Sequence, residues 1–295
     1  MSKKRNEIYK KITSQVIDGL GHGRIPWQKP WIGDSAPKNF QTGRKYTGIN
    51  LWVLISSPYK SNLWLTYKQA KKLGGQVQKG EKGTKVTFWS IINKEIEDAQ
   101  TGEKKEKKVF YLKTYTVFNS EQITGLDFTS PDETRTVETL QNAELLISNY
   151  QDIPKIEHSS LGKAYYNSKE DKVVLPPRKD FISTENYYST LFHELSHSTG
   201  HSSRLNREGI ARYDHFGSHK YTKEELIAEM SSCFMMSLCG LTSEVERNNQ
   251  AYINGWITKL ESNPKVLFEA SKGAQQACEY MLGNYKSNTV ENNAA

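Results

Sequence analysis

The chain has 295 residues, of which 36% are hydrophobic, and a formal net charge of +7; this length suits two ordinary domains, each able to bury a core. No run reaches the roughly 20 consecutive apolar residues that cross a bilayer, and the basic N-terminus leads into a helical pattern instead of a secretory apolar core, so a cytoplasmic protein without a membrane partner is expected. Its three cysteines, Cys233, Cys239 and Cys278, have no Cys-x-x-Cys spacing, which argues against a disulfide framework or a thiolate zinc site and leaves them as buried thiols.

Residues 6–20 carry Ile8, Tyr9, Ile12, Val16, Ile17 and Leu20 at helical spacing, with Gly19, Gly21 and Gly23 as stop signals. A turn-rich aromatic stretch follows, Ile25-Pro-Trp-Gln-Lys-Pro-Trp31, and Thr42-Gly43 then marks a tight turn between extended segments. Residues 51–56 and 66–73 read as helices, the second capped by Thr66 and ended by Gly74-Gly75. Residues 85–92 and 109–118, rich in β-branched and aromatic side chains, read as strands, and the charged segment 93–108 as a solvated hairpin loop. The polar run 127–136 lacks periodicity and marks a linker between a domain at 1–126 and a second at 137–295. Beyond it the pattern predicts a helix near 137–149, short strands near 155–157, 163–166 and 172–175, and helices near 184–199, 222–238, 248–261 and 264–281. The expected fold class is α+β, an N-terminal mixed α/β domain followed by a mainly helical domain with a small sheet.

The second half contains His193-Glu-Leu-Ser-His197. Two histidines four residues apart on a helix project from one face and can share a metal. Glu194, offset by about 100°, can reach a metal-bound water without ligating the metal, as a general base must. Tyr187, Leu191 and Leu195 form the apolar stripe that would hold this helix in a core. A pattern this short also arises by chance, but it sits in a periodic helix with an acidic helix downstream, which favours the metal. A tetrahedral catalytic zinc needs a third protein ligand. Glu225 is the first choice, with His201 and Glu229 as alternatives. Glu225 and Glu229 stand at i,i+4, so one carboxylate can bind the metal while the other accepts a proton from the outer nitrogen of a ligating histidine. Zn2+ is the expected ion, and Mn2+ suits the same ligands. The loop at 209–221 joins the two helices, which makes Tyr213, His215 and His219 candidate oxyanion donors; for each taken alone, a loop residue without catalytic duty is the stronger reading.

Residues 1–125 hold 23 Lys and Arg against 10 Asp and Glu, an excess of +13, and the remainder is acidic by 6. Charge placed in one half suggests that this half meets a polyanion. Five of the six tryptophans lie there too. Bases of a single strand stack on aromatic rings while Lys and Arg follow the phosphates, so Trp27, Lys29, Trp31, Lys38, Arg44, Lys45, Trp64, Lys68, Lys71, Lys72, Lys79, Lys82 and Lys85 are the candidate DNA-binding residues. Packing is the competing role for about half of the tryptophans.

Several landmarks together resemble the ArdC-type antirestriction proteins of conjugative plasmids. They are Ile25–Trp31, Tyr46-Thr-Gly-Ile-Asn50, Trp64-Leu-Thr-Tyr-Lys-Gln-Ala70, Gly74–Gly83, His193-Glu-Leu-Ser-His-Ser-Thr-Gly-His201, Arg204-Leu205, Phe216-Gly217 and Glu224-Glu-Leu-Ile-Ala-Glu229. The resemblance spans nearly the whole chain. It implies a single-stranded-DNA-binding domain followed by a metallopeptidase-like domain related to SprT-like and other glutamate-zincin proteases, and a role in shielding incoming plasmid DNA from the recipient's restriction enzymes. In glutamate zincins the second helix carries Glu-x-x-x-Asp, so Glu229 stands in for the aspartate. The metzincin pattern is broken, because its third histidine falls on Ser203.

Two functional classes follow. In the first, DNA binding localises a peptidase with Glu194 as base, whose substrate is a DNA-associated protein such as a restriction component. In the second, the protein is a DNA-binding shield whose metal is structural. A nuclease or primase-like enzyme fits poorly, because such sites use carboxylate clusters with magnesium and the first half contains few acids.

Overall fold

The computed structural model describes residues 3–28, 36–97, 104–128, 139–211, 219–241 and 250–284. The chain is α+β and forms two compact units, one of Met1–Pro26, Ala36–Asp132 and Trp256–Lys265, the other of Trp27–Ser35, Glu133–Gly255 and Val266–Ala295. The chain therefore changes unit at more places than the expected linker, most of which lies outside the described residues. Local contacts account for both exceptions. Trp27 is buried and donates from its indole nitrogen to Tyr252 Oη (3.1 Å), and Thr13 Oγ1 donates to the carbonyl of Pro264 (2.8 Å).

In the first unit, α1 (Lys3–Gly21) buries Tyr9, Ile12, Val16 and Leu20 along one stripe. It ends in a Schellman turn: the Arg24 amide bonds the Gly19 carbonyl (2.8 Å), the Gly23 amide bonds that of Leu20 (2.9 Å), and Gly23 takes the left-handed φ of 72° that glycine adopts without penalty. The main sheet has the order β1 (Lys38–Asn39), β2 (Leu63–Thr66), β5 (Lys104–Asn119), β4 (Thr84–Glu97). Between them lie α2 (Ile49–Ile55), α3 (Tyr67–Lys72) and the short strand β3 (Gln76–Val77), which pairs with β6 (Ile123–Thr124). Thr66 caps α3 in a capping box with Gln69. One core cluster gathers Tyr46, Leu54, Trp64, Val86 and Val117.

The β4–β5 hairpin is longer than the sequence predicts, pairing from Thr84↔Val117 out to Glu97↔Lys104. The segment 93–108 is thus mostly strand, and only 98–103 lies outside the described residues. Ladder hydrogen bonds need no apolar side chain, so charge there was a poor guide. Among the described residues β4 pairs only with β5, and two side-chain amides cover its other edge. Gln15 pairs with the Lys85 backbone (2.8 and 3.1 Å), and Asn50 with that of Thr87 (2.7 Å to both the amide and the carbonyl). An exposed edge invites pairing with another chain, and such amides close it.

In the second unit, α4 (Thr139–Ser148), α5 (Thr184–Ser198), α6 (Glu208–Ala211), α7 (His219–Cys239), α9 (Lys265–Met281) and part of α8 (Gln250–Ser262) accompany a three-stranded sheet. Its order is β7 (Lys155–His158), β9 (Lys172–Leu175), β8 (Tyr165–Asn167), with β8 antiparallel at one edge. Tyr187, Leu191 and Leu195 are buried on α5 as the stripe predicts, packed with Val173, Leu175, Met235 and Cys239. Helices α7 and α9 approach closely at Gly273, where an added Cβ would lie 2.6 Å from Ile227 Cδ1. Cys239 and Cys278 are buried and Cys233 is half-buried; burial pushes all three thiols up.

Candidate metal centre

Helix α5 is capped by Ser183, whose hydroxyl accepts the Asn186 amide, and runs through the His-Glu-Leu-Ser-His segment. One turn separates His193 and His197, and their Nε2 atoms face each other 3.2 Å apart. Glu225, in the second turn of α7, completes the cluster: its Oε2 lies 3.7 Å from His193 Nε2 and its Oε1 lies 3.5 Å from His197 Nε2. Among the described residues these three form the only group of such side chains whose ligand atoms converge, all within 4.8 Å of one another.

The alternatives to Glu225 point elsewhere. His201 Nδ1 lies against Ser203 Oγ at 2.8 Å, in the turn beyond α5. Glu229, one turn further along α7, accepts from Tyr252 Oη at 3.3 Å. The carboxylate beside the outer nitrogen of a histidine is instead Glu224, whose Oε1 is 3.5 Å from His197 Nδ1. Glu224 is not on one helix face with Glu225, so i,i+4 spacing does not point to it. Adjacent residues diverge by about 100°, and that divergence lets Glu225 face the Nε2 atoms while Glu224 takes the other side of the ring.

Glu224 is 2% exposed and survives burial as an anion because Arg207 grips it, Nε to Oε2 at 2.9 Å and Nη2 to Oε1 at 2.5 Å. Burial alone would raise its pKa, but the Arg207 charge and hydrogen bonds outweigh that and bring it down to about 2. For His197, burial disfavours the charged ring, yet Glu224, Glu194 and Glu225 together hold it up at about 9.

A cavity of about 550 Å³ opens over the cluster, walled by Glu194, Ile210, Tyr221, Glu224 and the β8 residues Tyr165 and Tyr166. Glu194 lies on this wall as its offset from His193 predicts. Of the expected oxyanion donors, Tyr213 and His215 fall outside the described residues and His219 opens α7. Tyr221 lines the cavity instead; its spacing of four from Glu225 was the sequence signal for it.

The DNA-binding set divides. Trp27 and Trp64 are 2% and 1% exposed, so both rings pack in cores and neither offers a face to a base; the packing role was the right one for them. Lys29 and Trp31 lie outside the described residues. Arg44, Lys45, Lys68, Lys71, Lys72, Lys79 and Lys82 are exposed, while Lys38 and Lys85 are half-buried, and Lys85 Nζ bonds Thr116 Oγ1. Among the residues whose burial is described, the exposed rings of this unit are others: Tyr67 (54%), Phe88 (40%) and Tyr115 (42%). Phe88 and Tyr115 meet edge to face at 5.3 Å. Lys113, in register with Phe88, holds Nζ 5.0 Å from the Tyr111 ring centroid. Strand propensity alone could not say which rings face out.

Residues 6–118 match the N-terminal domain of anti-restriction factor ArdC, and residues 141–273 match a zincin-like metallopeptidase. Two Escherichia coli proteins named DNA primase TraC are 33% and 34% identical over 96% and 94% of the chain. The chain spans only 28% and 20% of their lengths. The metal-free crystal structure of antirestriction protein ArdC from plasmid R388 is 37% identical with a TM-score of 0.71, covering 94% of this chain and 98% of that one. Its Mn(II)-bound form aligns at 34% identity with a TM-score of 0.69, covering 94% and 97%. With its two halves matched in order and a solved relative aligned end to end, the chain belongs to the ArdC antirestriction family, an ArdC-type N-terminal domain followed by a zincin-like domain.

Proposed function

We propose that this chain is a cytoplasmic, single-stranded-DNA-binding antirestriction protein that protects plasmid DNA entering by conjugation, and that its zincin-like unit is a metal-dependent peptidase. One observation carries the metal reading. Ligands about 2.0–2.1 Å from a tetrahedral ion stand roughly 3.3 Å apart; the two Nε2 atoms stand 3.2 Å apart, Glu225 brings a different carboxylate oxygen to each of them, Oε1 to His197 at 3.5 Å and Oε2 to His193 at 3.7 Å, and with one ligand atom per residue all three lie within 4.8 Å of one another. Zinc is the expected occupant; manganese suits the same donors, and the Mn(II)-bound R388 relative supports a divalent ion.

A bound divalent ion supplies a Lewis acid for a carbonyl and acidifies the attacking water. Glu194, beside His193 on the cavity wall, takes the proton from that water and returns it to the leaving amine. Tyr221 offers a phenolic hydrogen to the developing oxyanion. β8 pairs only with β9 among the described residues, and its Tyr165 and Tyr166 line the cavity, so an extended peptide can lie along that strand. The substrate class we favour is a DNA-associated protein such as a restriction component. Support for the DNA partner comes from the +13 charge of residues 1–125 and from the exposed Phe88, Tyr115 and Lys113.

Metal analysis of wild type beside His193→Ala, Glu225→Ala and His201→Ala tests the ligands. We expect the first two variants to lose the metal and His201→Ala to keep it; full metal in Glu225→Ala would remove Glu225 from the set. Glu194→Gln should retain metal and stop cleavage of a restriction endonuclease, or of casein as a generic substrate. If Glu194→Gln still protects incoming DNA as well as wild type does, the protein is a shield and the peptidase is dispensable.

A further inference from the structure

We infer that Arg207 and Glu224 are positioning residues for the metal centre, holding His197 as the ring that presents Nε2 and keeps its proton on Nδ1. The inference rests on the metal reading above and assigns roles to two residues outside the ligand set. The two nitrogens of His197 face different partners: Nε2 looks toward His193 and Glu225, while Nδ1 lies 3.5 Å from Glu224 Oε1. Nδ1 is buried and makes no formed hydrogen bond at that distance, so Glu224 acts as the charge it faces: a carboxylate beside one ring nitrogen favours the tautomer with hydrogen there, which leaves the other lone pair for a metal.

Glu224 is itself held. The forked bond from Arg207 fixes the carboxylate plane, and the same guanidinium reaches back to α5, where Nη1 donates to Thr199 Oγ1 (2.6 Å) and Nη2 to the carbonyl of Ser196 (2.8 Å). Arg207 thereby ties the helix bearing the histidines to the helix bearing both glutamates. Gly200 makes room for this segment, since a Cβ there would lie 2.8 Å from Ile210 Cγ1 and 3.0 Å from Arg207 Cζ and Nη2.

The experiment must separate positioning from a role that merely joins helices. A buried ion pair replaced as a whole by apolar side chains often leaves stability unchanged or improved. The double variant Arg207→Leu/Glu224→Leu in the full chain should therefore melt near wild type yet bind Zn2+ or Mn2+ about 10- to 100-fold more weakly in competition with a chromogenic chelator, the range for lost ligand-orienting partners. Glu224→Gln, which keeps the shape and a neutral acceptor, is measured beside it and should fall about tenfold. In metal-free wild type, 15N shifts of the neutral His197 ring should report hydrogen on Nδ1, and Glu224→Gln should weaken that preference. Wild-type metal affinity in either folded variant, or hydrogen on Nε2 instead of Nδ1 in the neutral wild-type ring once it has lost its charge, overturns the inference. If wild type binds no metal, the metal reading fails instead. Should the double variant not fold, Glu224→Gln and the ring shifts decide.

Discussion

The ring of His197 is raised to about 9 although it is buried, because three carboxylates outweigh the desolvation. A metal must displace the Nε2 proton of such a ring, so below about pH 9 binding releases a proton. Apparent metal affinity should then rise by up to about tenfold per pH unit toward pH 9 and level off above it, measured by chelator competition; a flat profile from pH 6 to pH 9 refutes a charged His197. For the metal-free protein the sign is opposite. The folded pKa lies above the 6.5 of a free ring, so this group's contribution to stability is full below about pH 6.5 and is lost as pH climbs through about 9. Melting of the metal-free chain should show that decline, and excess metal should remove it.

At the scale of elements, the edge of β4 depends on two amides rather than on another strand. Asn50→Ala would leave the Thr87 amide and carbonyl without the partners they meet at 2.7 Å, at roughly 1–3 kcal/mol for each buried group. We expect the transition of the N-terminal unit to shift in urea while the C-terminal unit's transition stays in place; loss of both together would show that the units unfold as one. Periodicity located most helices and strands to within a few residues, because burying one face leaves a repeat in the sequence. It did not register the outer part of the β4–β5 hairpin, which the backbone ladder holds. Nor could it separate Trp64, buried in the core, from Phe88 and Tyr115, since aromatic residues favour strands whichever way they point.

For the whole molecule, the asymmetry of charge is the property with the widest consequence. If residues 1–125 meet single-stranded DNA, the logarithm of affinity should fall linearly with the logarithm of salt concentration, by about 0.7 per phosphate contacted. A stacked base contributes roughly 1–3 kcal/mol, so Phe88→Ala and Tyr115→Ala should each weaken binding of an oligo-dT about 5- to 150-fold, read by fluorescence anisotropy. Trp64→Phe, a core change, should leave affinity at wild-type level in protein that is folded. Wild-type binding that neither ring variant alters would place the DNA elsewhere on this unit.

Properties that are local or summed were legible in the chain: helices from 3.6-residue periodicity, the shared face of His193 and His197, the +13 half, and the family through motifs spread along the chain. The tertiary structure alone decided which carboxylate meets which nitrogen. Glu225 and Glu224 are adjacent in sequence yet serve opposite sides of one imidazole, His201 and Glu229 turn to Ser203 and Tyr252, and Arg207 closes the set from a segment between the two helices. Such assignments depend on how helices α5 and α7 rotate and cross, and that is set by packing distributed over many residues, which no short spacing encodes.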